Sequence, residues 1–266
     1  MNGFTLRAPT PDDLPDILET WQRSFGDPPE LIAEFLREGD LLPGAVAAEA
    51  EGRVRSVMFA FEHQRFGGMD AAYLYALCTH PDFRGRGLGG AVVRELCDRC
   101  FARGAELVCL SPADDSLAAW YASLLGMRTM LRFRDIPVQS GRCALPLREI
   151  SPADYREKRG GSFVLTSELL RAQAVFLEHG GFFELDLAAA KALACIGVEG
   201  DTLQVYELRC PPEARGAALG ALAERFGCAQ VFVRTRSDSG TPIQYLLPDR
   251  APLSGALNDD FFFTMA

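Results

Sequence analysis

Residues Thr79 to Leu96 read THPDFRGRGLGGAVVREL, and this stretch constrains the fold more than any other. Four glycines and two arginines fall between Arg84 and Gly90. Before them, AAYLYALCT is an almost continuous apolar run, as expected of a central strand. After them, Val92, Val93, Leu96, Cys97 and Cys100 form one apolar stripe, which predicts a helix. A strand, a glycine turn and a helix start together make an anion site. Free backbone N–H groups and the positive end of the helix dipole converge there. Glycines let a phosphate approach the main chain.

Several ligands fit such a turn. Gly85, Gly87 and Gly90 satisfy GxGxxG, but a dinucleotide fold needs an acidic residue at the far end of the next strand. Here Glu106 opens that strand and Ser111 ends it, and HPDF separates the turn from its own strand. No Lys-Ser or Lys-Thr follows the glycines, so a Walker A loop is excluded. A glycine-rich turn that binds nothing is the plain alternative, and four glycines this close argue against it.

Around this unit the chain alternates strand and helix signals. FTLRAPTPDDLPDILETWQRSF reads as a short strand and a helix, with Thr10 as N-cap, Pro11 at the first turn and Asp12 and Asp13 at the positive end. LIAEFLREG reads as a helix, and GAVAAEAEGRVRSVMFAFE as a hairpin about EGR. AELVCLS, DSLAAWYASLL and RTMLRFRDIPV supply a strand, a helix stopped by Gly126, and one or two strands. A Pro-, Gly- and Ser-bearing segment near 138–148 marks a boundary, predicting domains at 1–138 and 148–266. Beyond it come helical runs (SPADYREKRG, SELLRAQAVFLEH) and strand-like runs (ALACIGVEG, TLQVYELR, AQVFVRT and the terminal NDDFFFTMA).

The second half echoes the first. Shifted by 131 positions, Tyr206, Leu208, Pro212, Arg215, Gly216, Leu219 and Gly220 fall on Tyr75, Leu77, Pro81, Arg84, Gly85, Leu88 and Gly89. The coincidence of strand, turn and helix favours two copies of one fold. Ala218 stands where the first copy has Gly87, and its methyl is expected to block a ligand from the backbone.

With 36 acidic against 27 basic residues, the chain carries a formal net charge of −9, which disfavours a nucleic-acid binder and mildly favours cationic partners. No basic and apolar leader opens the sequence and no apolar run reaches membrane-spanning length, so a cytoplasmic, membrane-free protein is expected. Eight cysteines then read as reduced and core-filling. Cys97 and Cys100 form CxxC inside a helix, without a second pair at zinc-ribbon spacing, so no metal is expected.

Arg84-Gly85-Arg86-Gly87-Leu88-Gly89 matches the R/Q-x-x-G-x-G/A signature of the GNAT N-acetyltransferases, and the chain resembles that family over about 4–135. Leu77-Cys78-Thr79 resembles the end of its central strand, His80-Pro81 the lead-in to its turn, and SPADDSLAAWYASLLGM its late strand–helix segment. The second half resembles a degenerate copy, making the chain a tandem GNAT protein. The resemblance implies two α/β (α+β) domains, each a mixed, mostly antiparallel sheet flanked by helices. It implies acetyl-CoA as co-substrate and a small-molecule or peptide amine as acceptor. The pyrophosphate would sit on the amides of Arg84, Gly85, Arg86, Gly87, Leu88, Gly89 and Gly90. The pantetheine arm would pair with Leu77 and Thr79, and an N–H near Cys78 or Thr79 would steady the oxyanion.

For the general acid the resemblance points to Tyr121. Four residues separate it from Gly126 where the family has three, which reads as one inserted residue after Tyr121. The plain reading is a half-buried helix tyrosine beside Trp120. Glu62 is the candidate base, with His63 and the terminal carboxylate of Ala266 behind it; Tyr73 and Tyr75 read as core. A Cys78 acyl-enzyme would need a base partner, and none is evident. The WQRSFGDPPELIAEFL helices and the second half would build the acceptor cleft, or the second half a homodimer interface. An acyl-CoA-binding sensor or interaction module without catalysis is the alternative.

Overall fold

A computed structural model describes residues 3–141, 143–161, 163–177, 179–187, 190–249 and 253. Ala266 and the run predicted as a terminal strand, NDDFFFTMA, lie outside the described residues. The structure is a mixed α/β fold with seven α-helices among the described residues, and it divides into two compact units. The first runs to Met130 and resumes at Pro242; the second begins at Leu131 and runs to Thr241. Among the described residues, no helix is long and apolar enough to cross a membrane.

The first unit starts with β1 (Thr5–Arg7), a short 3-10 turn at Pro11–Asp13, α1 (Leu14–Phe25) and α2 (Pro29–Glu38). Asp13 fixes the start of α1. Its carboxylate accepts from the Thr10 N–H (2.6 Å) and from the Arg7 guanidinium (2.7 Å), while Arg7 also donates to Glu49. These bonds hold the Asp13 carboxyl far below the usual carboxylate range, the Arg7 bond above all. Then come β2 (Val46–Ala50), β3 (Arg53–Phe66), β4 (Met69–Thr79), α3 (Leu88–Ala102), β5 (Leu107–Leu110) and α4 (Asp115–Leu125). The β2–β3 turn at Glu51-Gly52 is left-handed at both residues (φ 55° and 73°), the hairpin geometry that EGR predicted.

Alternate residues of a strand face opposite sides of its sheet, and the sequence fills both. Met58, Ala60, Ala72 and Leu74 pack with Val92, Val93, Leu96 and Cys97 of α3. Phe59, Phe61 and Tyr75 point the other way, into the rings of Trp21 and Phe35 from α1 and α2. The Trp21 Nε1–H donates to Asp27 at 2.7 Å, satisfying the polar tip of a buried ring.

The chain enters the second unit within β6 (Arg128–Pro137). There follow β7 (Leu147–Glu149), α5 (Pro152–Arg159), β8 (Phe163–Val164), α6 (Ser167–Val175), β9 (Gly181–Asp186), β10 (Lys191–Glu199), β11 (Thr202–Arg209), α7 (Arg215–Phe226) and β12 (Gln230–Ser237). β13 (Thr241–Leu246) then returns to the first unit. The sheets share one pairing pattern. Along β1-β2-β3-β4-β5-β13 the neighbours are antiparallel three times, then parallel, then antiparallel. Along β7-β9-β10-β11-β12-β6 the senses are the same. The last strand of the first unit's sheet, β13, comes from beyond the second unit's run of chain, whereas β6 opens that run.

β13 belongs to the first core. Leu246 is buried in the α3 cluster, and the Gln244 side chain donates to the Ala118 carbonyl at 3.0 Å. A chain ending at residue 138 lacks this strand and leaves β5 unpaired on one side. Such a fragment is expected to show no cooperative thermal transition by circular dichroism. In the full chain, Leu246→Ala is expected to cost about 3 kcal/mol, read from the denaturant midpoint.

Candidate functional site

A fault in the central strand opens the site. On β3, Phe59 faces Tyr75 and Val57 faces Cys78, so Ala76 and Leu77 together stand opposite Met58. The extra residue is a β-bulge, and Ala76 takes a left-handed φ of 53° to make it. On its other side β4 runs parallel to β5 for only three residues, Ala71 to Tyr73, and continues to Thr79 without it. The wedge between the parted strands leads to a cleft of about 660 Å³. Leu77 and Thr79 line it from β4, and Phe83, Arg84, Gly85 and residues 87–90 from the turn. Ser116, Leu117 and Trp120 line it from α4, and Ser24 and Phe25 from the end of α1.

The glycines of the turn divide by physical cause. Gly85 and Gly87 have φ of 74° and 86°, and a Cβ on either would meet nothing within 4 Å. They supply backbone shape, not space. Gly89 is the packing glycine: its Cβ would press on the Thr79 hydroxyl at 3.2 Å, while Gly90 has only ordinary contact with Leu124. Gly87 caps α3, and the first helical bond is from Ala91 N–H to the Gly87 carbonyl. The amides of Leu88, Gly89 and Gly90 precede that bond, at the positive end of a 15-residue helix. The turn is braced from behind. The buried His80 accepts from the Asp82 N–H at 3.4 Å, and Arg84 Nε donates to the Thr79 carbonyl at 3.1 Å.

The second unit lacks this shape. Residues 215–218, which align with 84–87, form the first turn of α7, directly after the 3-10 turn Pro212–Ala214. They are wound into the helix instead of forming an open turn before it, and Ala218 is fully buried. The difference from Gly87 is therefore conformational: alanine cannot hold the left-handed turn cheaply. The bulk of its methyl is secondary. A Cβ on Gly220, the counterpart of Gly89, would collide with the Gly141 carbonyl, and Val138, Leu145 and Leu147 pack against the same core.

Thus Leu77, Thr79, Arg84, Gly85, Gly87, Leu88, Gly89 and Gly90 come together around one cleft. Arg86 lies in the turn with its guanidinium over Phe83. Cys78 is buried behind the strand, and burial pushes its thiol up to about 12, so it stays protonated and un-nucleophilic.

The candidate acid and base lie elsewhere. α4 is an uninterrupted helix closed by a Gly26-like left-handed cap at Gly126, whose N–H donates to Ala122; no bulge absorbs an inserted residue. Helical phase therefore gives Trp120 to the cleft and Tyr121 to the core with Ala118 and Leu125. Burial, with the Cys97 thiol nearby, pushes the Tyr121 phenol well above its usual range. Glu62 forms an ion pair with Arg103 at 2.8 Å, beyond the C-terminal end of α3. The cleft is at the opposite end, about 22 Å away along that helix. His63 is exposed near Asp70. Ser24 and Phe25 come from the WQRSFGDPPELIAEFL stretch expected to build the cleft; sequence reasoning missed Ser116, Leu117 and Trp120, for which the i, i+4 spacing of Ser116 and Trp120 was the available signal.

A family model described as an acetyltransferase (GNAT) domain matches residues 5–123. An acetyltransferase of Pectobacterium atrosepticum is 30% identical over 132 residues, covering 47% of this chain and 84% of that one. Among solved structures, a GCN5-related N-acetyltransferase from Kribbella flavida aligns with a TM-score of 0.70 at 17% identity, over 92% of this chain and 71% of that chain. One from Sphaerobacter thermophilus aligns at 0.56 and 16% identity, over 95% and 97%. The parted central strands, the glycine-capped helix and these likenesses agree: the chain belongs to the GNAT acetyltransferase family.

Proposed function

We propose that the first unit binds acetyl-CoA and transfers its acetyl group to a primary amine by direct attack in a ternary complex. One observation carries this reading. The left-handed Gly85 and Gly87 aim the open end of α3 into a cleft that runs up to the unpaired end of β4. A pyrophosphate suits the amides of Leu88 to Gly90. An extended amide-bearing arm suits the edge of β4 at Leu77 and Thr79, as an added strand would. The amine nitrogen then attacks the thioester carbonyl carbon. The C–N bond forms, the C–S bond breaks, the thiolate departs with the electron pair, and the nitrogen gives up one proton to water.

A phenol in the cleft is not required for that departure. A thiol has a pKa of about 8.5, so its anion is a tolerable leaving group near neutrality. We assign the chemistry to acetyl-CoA-binding residues of 1–138, and read 148–266 as a degenerate copy of the same fold. The shared strand pairing and the helical 215–218 turn support this. The acceptor belongs beside Ser24 and Phe25, where α1 meets the cleft. A second reading, an acyl-CoA-binding module without catalysis, is favoured by the positions of Tyr121 and Glu62 away from the cleft.

A panel of primary amines with thiol detection separates the two. Amine-dependent release of free thiol is expected; calorimetric binding of acetyl-CoA with no release for any amine would favour the binder. Gly87→Val is expected to abolish binding while leaving a folded protein, because only the turn is strained; unchanged affinity refutes the pocket. Tyr121→Phe keeps the packed ring and is expected to change kcat by less than about threefold. A hundredfold fall in kcat at unchanged stability would restore Tyr121 as the acid.

A further inference from the structure

Phe83 sits at the wall of the cleft with two guanidiniums on it. The Arg86 carbon lies 4.6 Å from the ring centroid and the Arg55 carbon 4.8 Å. Arg84 follows Phe83 in the chain and lines the cleft. One arginine over an aromatic ring is common. Two on one ring place like charges within about 10 Å of each other, which is unfavourable unless an anion joins them. No described carboxylate forms an ion pair with Arg55, Arg84 or Arg86, although acidic residues outnumber basic ones across the chain. Elsewhere Arg7, Arg53, Arg99 and Arg103 all have such partners. Arg55 adds an independent sign: its Nε–H is buried and has no hydrogen-bond partner. An unmet buried donor is costly in a fold that could have supplied an acceptor.

We propose that Arg55 and Arg86, both held against the Phe83 ring beside the turn, form a seat for a second phosphate of the nucleotide, the 3′-phosphomonoester of coenzyme A. The inference rests on the acetyl-CoA reading above and extends it. Pyrophosphate is met by backbone amides, whereas a phosphomonoester carries up to two charges and three acceptor oxygens, which planar guanidiniums match. The ring fixes both side chains before the ligand arrives, lowering the entropy lost on binding. Arg55 comes from β3, outside the glycine motif, so the motif alone does not reveal this contact.

The test is a comparison of acetyl-CoA with its 3′-dephospho analogue by calorimetry on the full chain. Wild-type protein is expected to bind acetyl-CoA at least tenfold more tightly. Arg55→Gln and Arg86→Gln are each expected to compress that ratio to threefold or less. Arg55→Lys keeps the charge without the fork and is expected to fall between. It also serves if Arg55→Gln fails to fold. The wild-type preference should shrink below about pH 6, as the phosphomonoester dianion takes up a proton and becomes a monoanion. Equal affinity for the two nucleotides in wild type, or a ratio unchanged by the substitutions, overturns the seat while leaving acetyl-CoA binding intact. Failure of both nucleotides to bind wild type would instead bring down the acetyl-CoA reading and this one with it.

Discussion

The parting of β4 from β5 is the constraint on which the rest of the site depends. A parallel pair that held for the full length of β4 would fill the wedge with main chain and leave α3 pointing at a closed edge. Pairing stops after Tyr73, and the bulge at Ala76 turns the remaining residues away. Leu77 and Thr79 then present main chain to a cleft instead of to a neighbour. The glycine turn adds its amides at the mouth, and the floor is the apolar packing of α3. Each piece is ordinary; the break in one ladder makes them a site.

The second unit shows how little separates such a site from plain structure. It repeats the pairing senses, and β11 also slips by one residue, between Val205 and Glu207. Yet the turn winds into α7 four residues early. A buried ion pair holds the opposite face: Glu207 accepts from Tyr155 at 2.6 Å and from Arg159 at 2.9 Å. Truncating either partner of such a pair strands a buried charge. That face is specified by charge, where the first unit uses the rings of Trp21, Phe35 and Tyr75.

Much of this was legible in sequence. The anion turn, its helix, the central strand and the repeat all rest on local patterns: glycine density, a 3.6-residue stripe and an apolar run. What was illegible depended on phase and on distance along the chain. Tyr121 was read as the acid by assuming one residue inserted before Gly126, but one residue along a helix is a rotation of about 100°, enough to move a ring from cleft to core. Glu62 was read as a strand end, but β3 runs on to Phe66 through a second bulge at His63, whose φ is 62°. TPIQYL gave no strong strand signal, with a proline and a glutamine among its residues, and its partner lies more than 130 positions earlier. Phe83's two arginines come from elements whose proximity no motif encodes.

The borrowed strand has a consequence in time. The first unit is not finished when its own 130 residues have been made; its sheet waits for β13, which follows the whole of the second unit. At ordinary elongation speeds, about 5–20 residues per second, that wait lasts on the order of ten seconds. During it, β5 presents an unpaired edge of Leu107, Val108, Cys109 and Leu110 to every other nascent chain. The first unit is therefore completed only once β13 has been made, and a chain cut short before Pro242 lacks part of it.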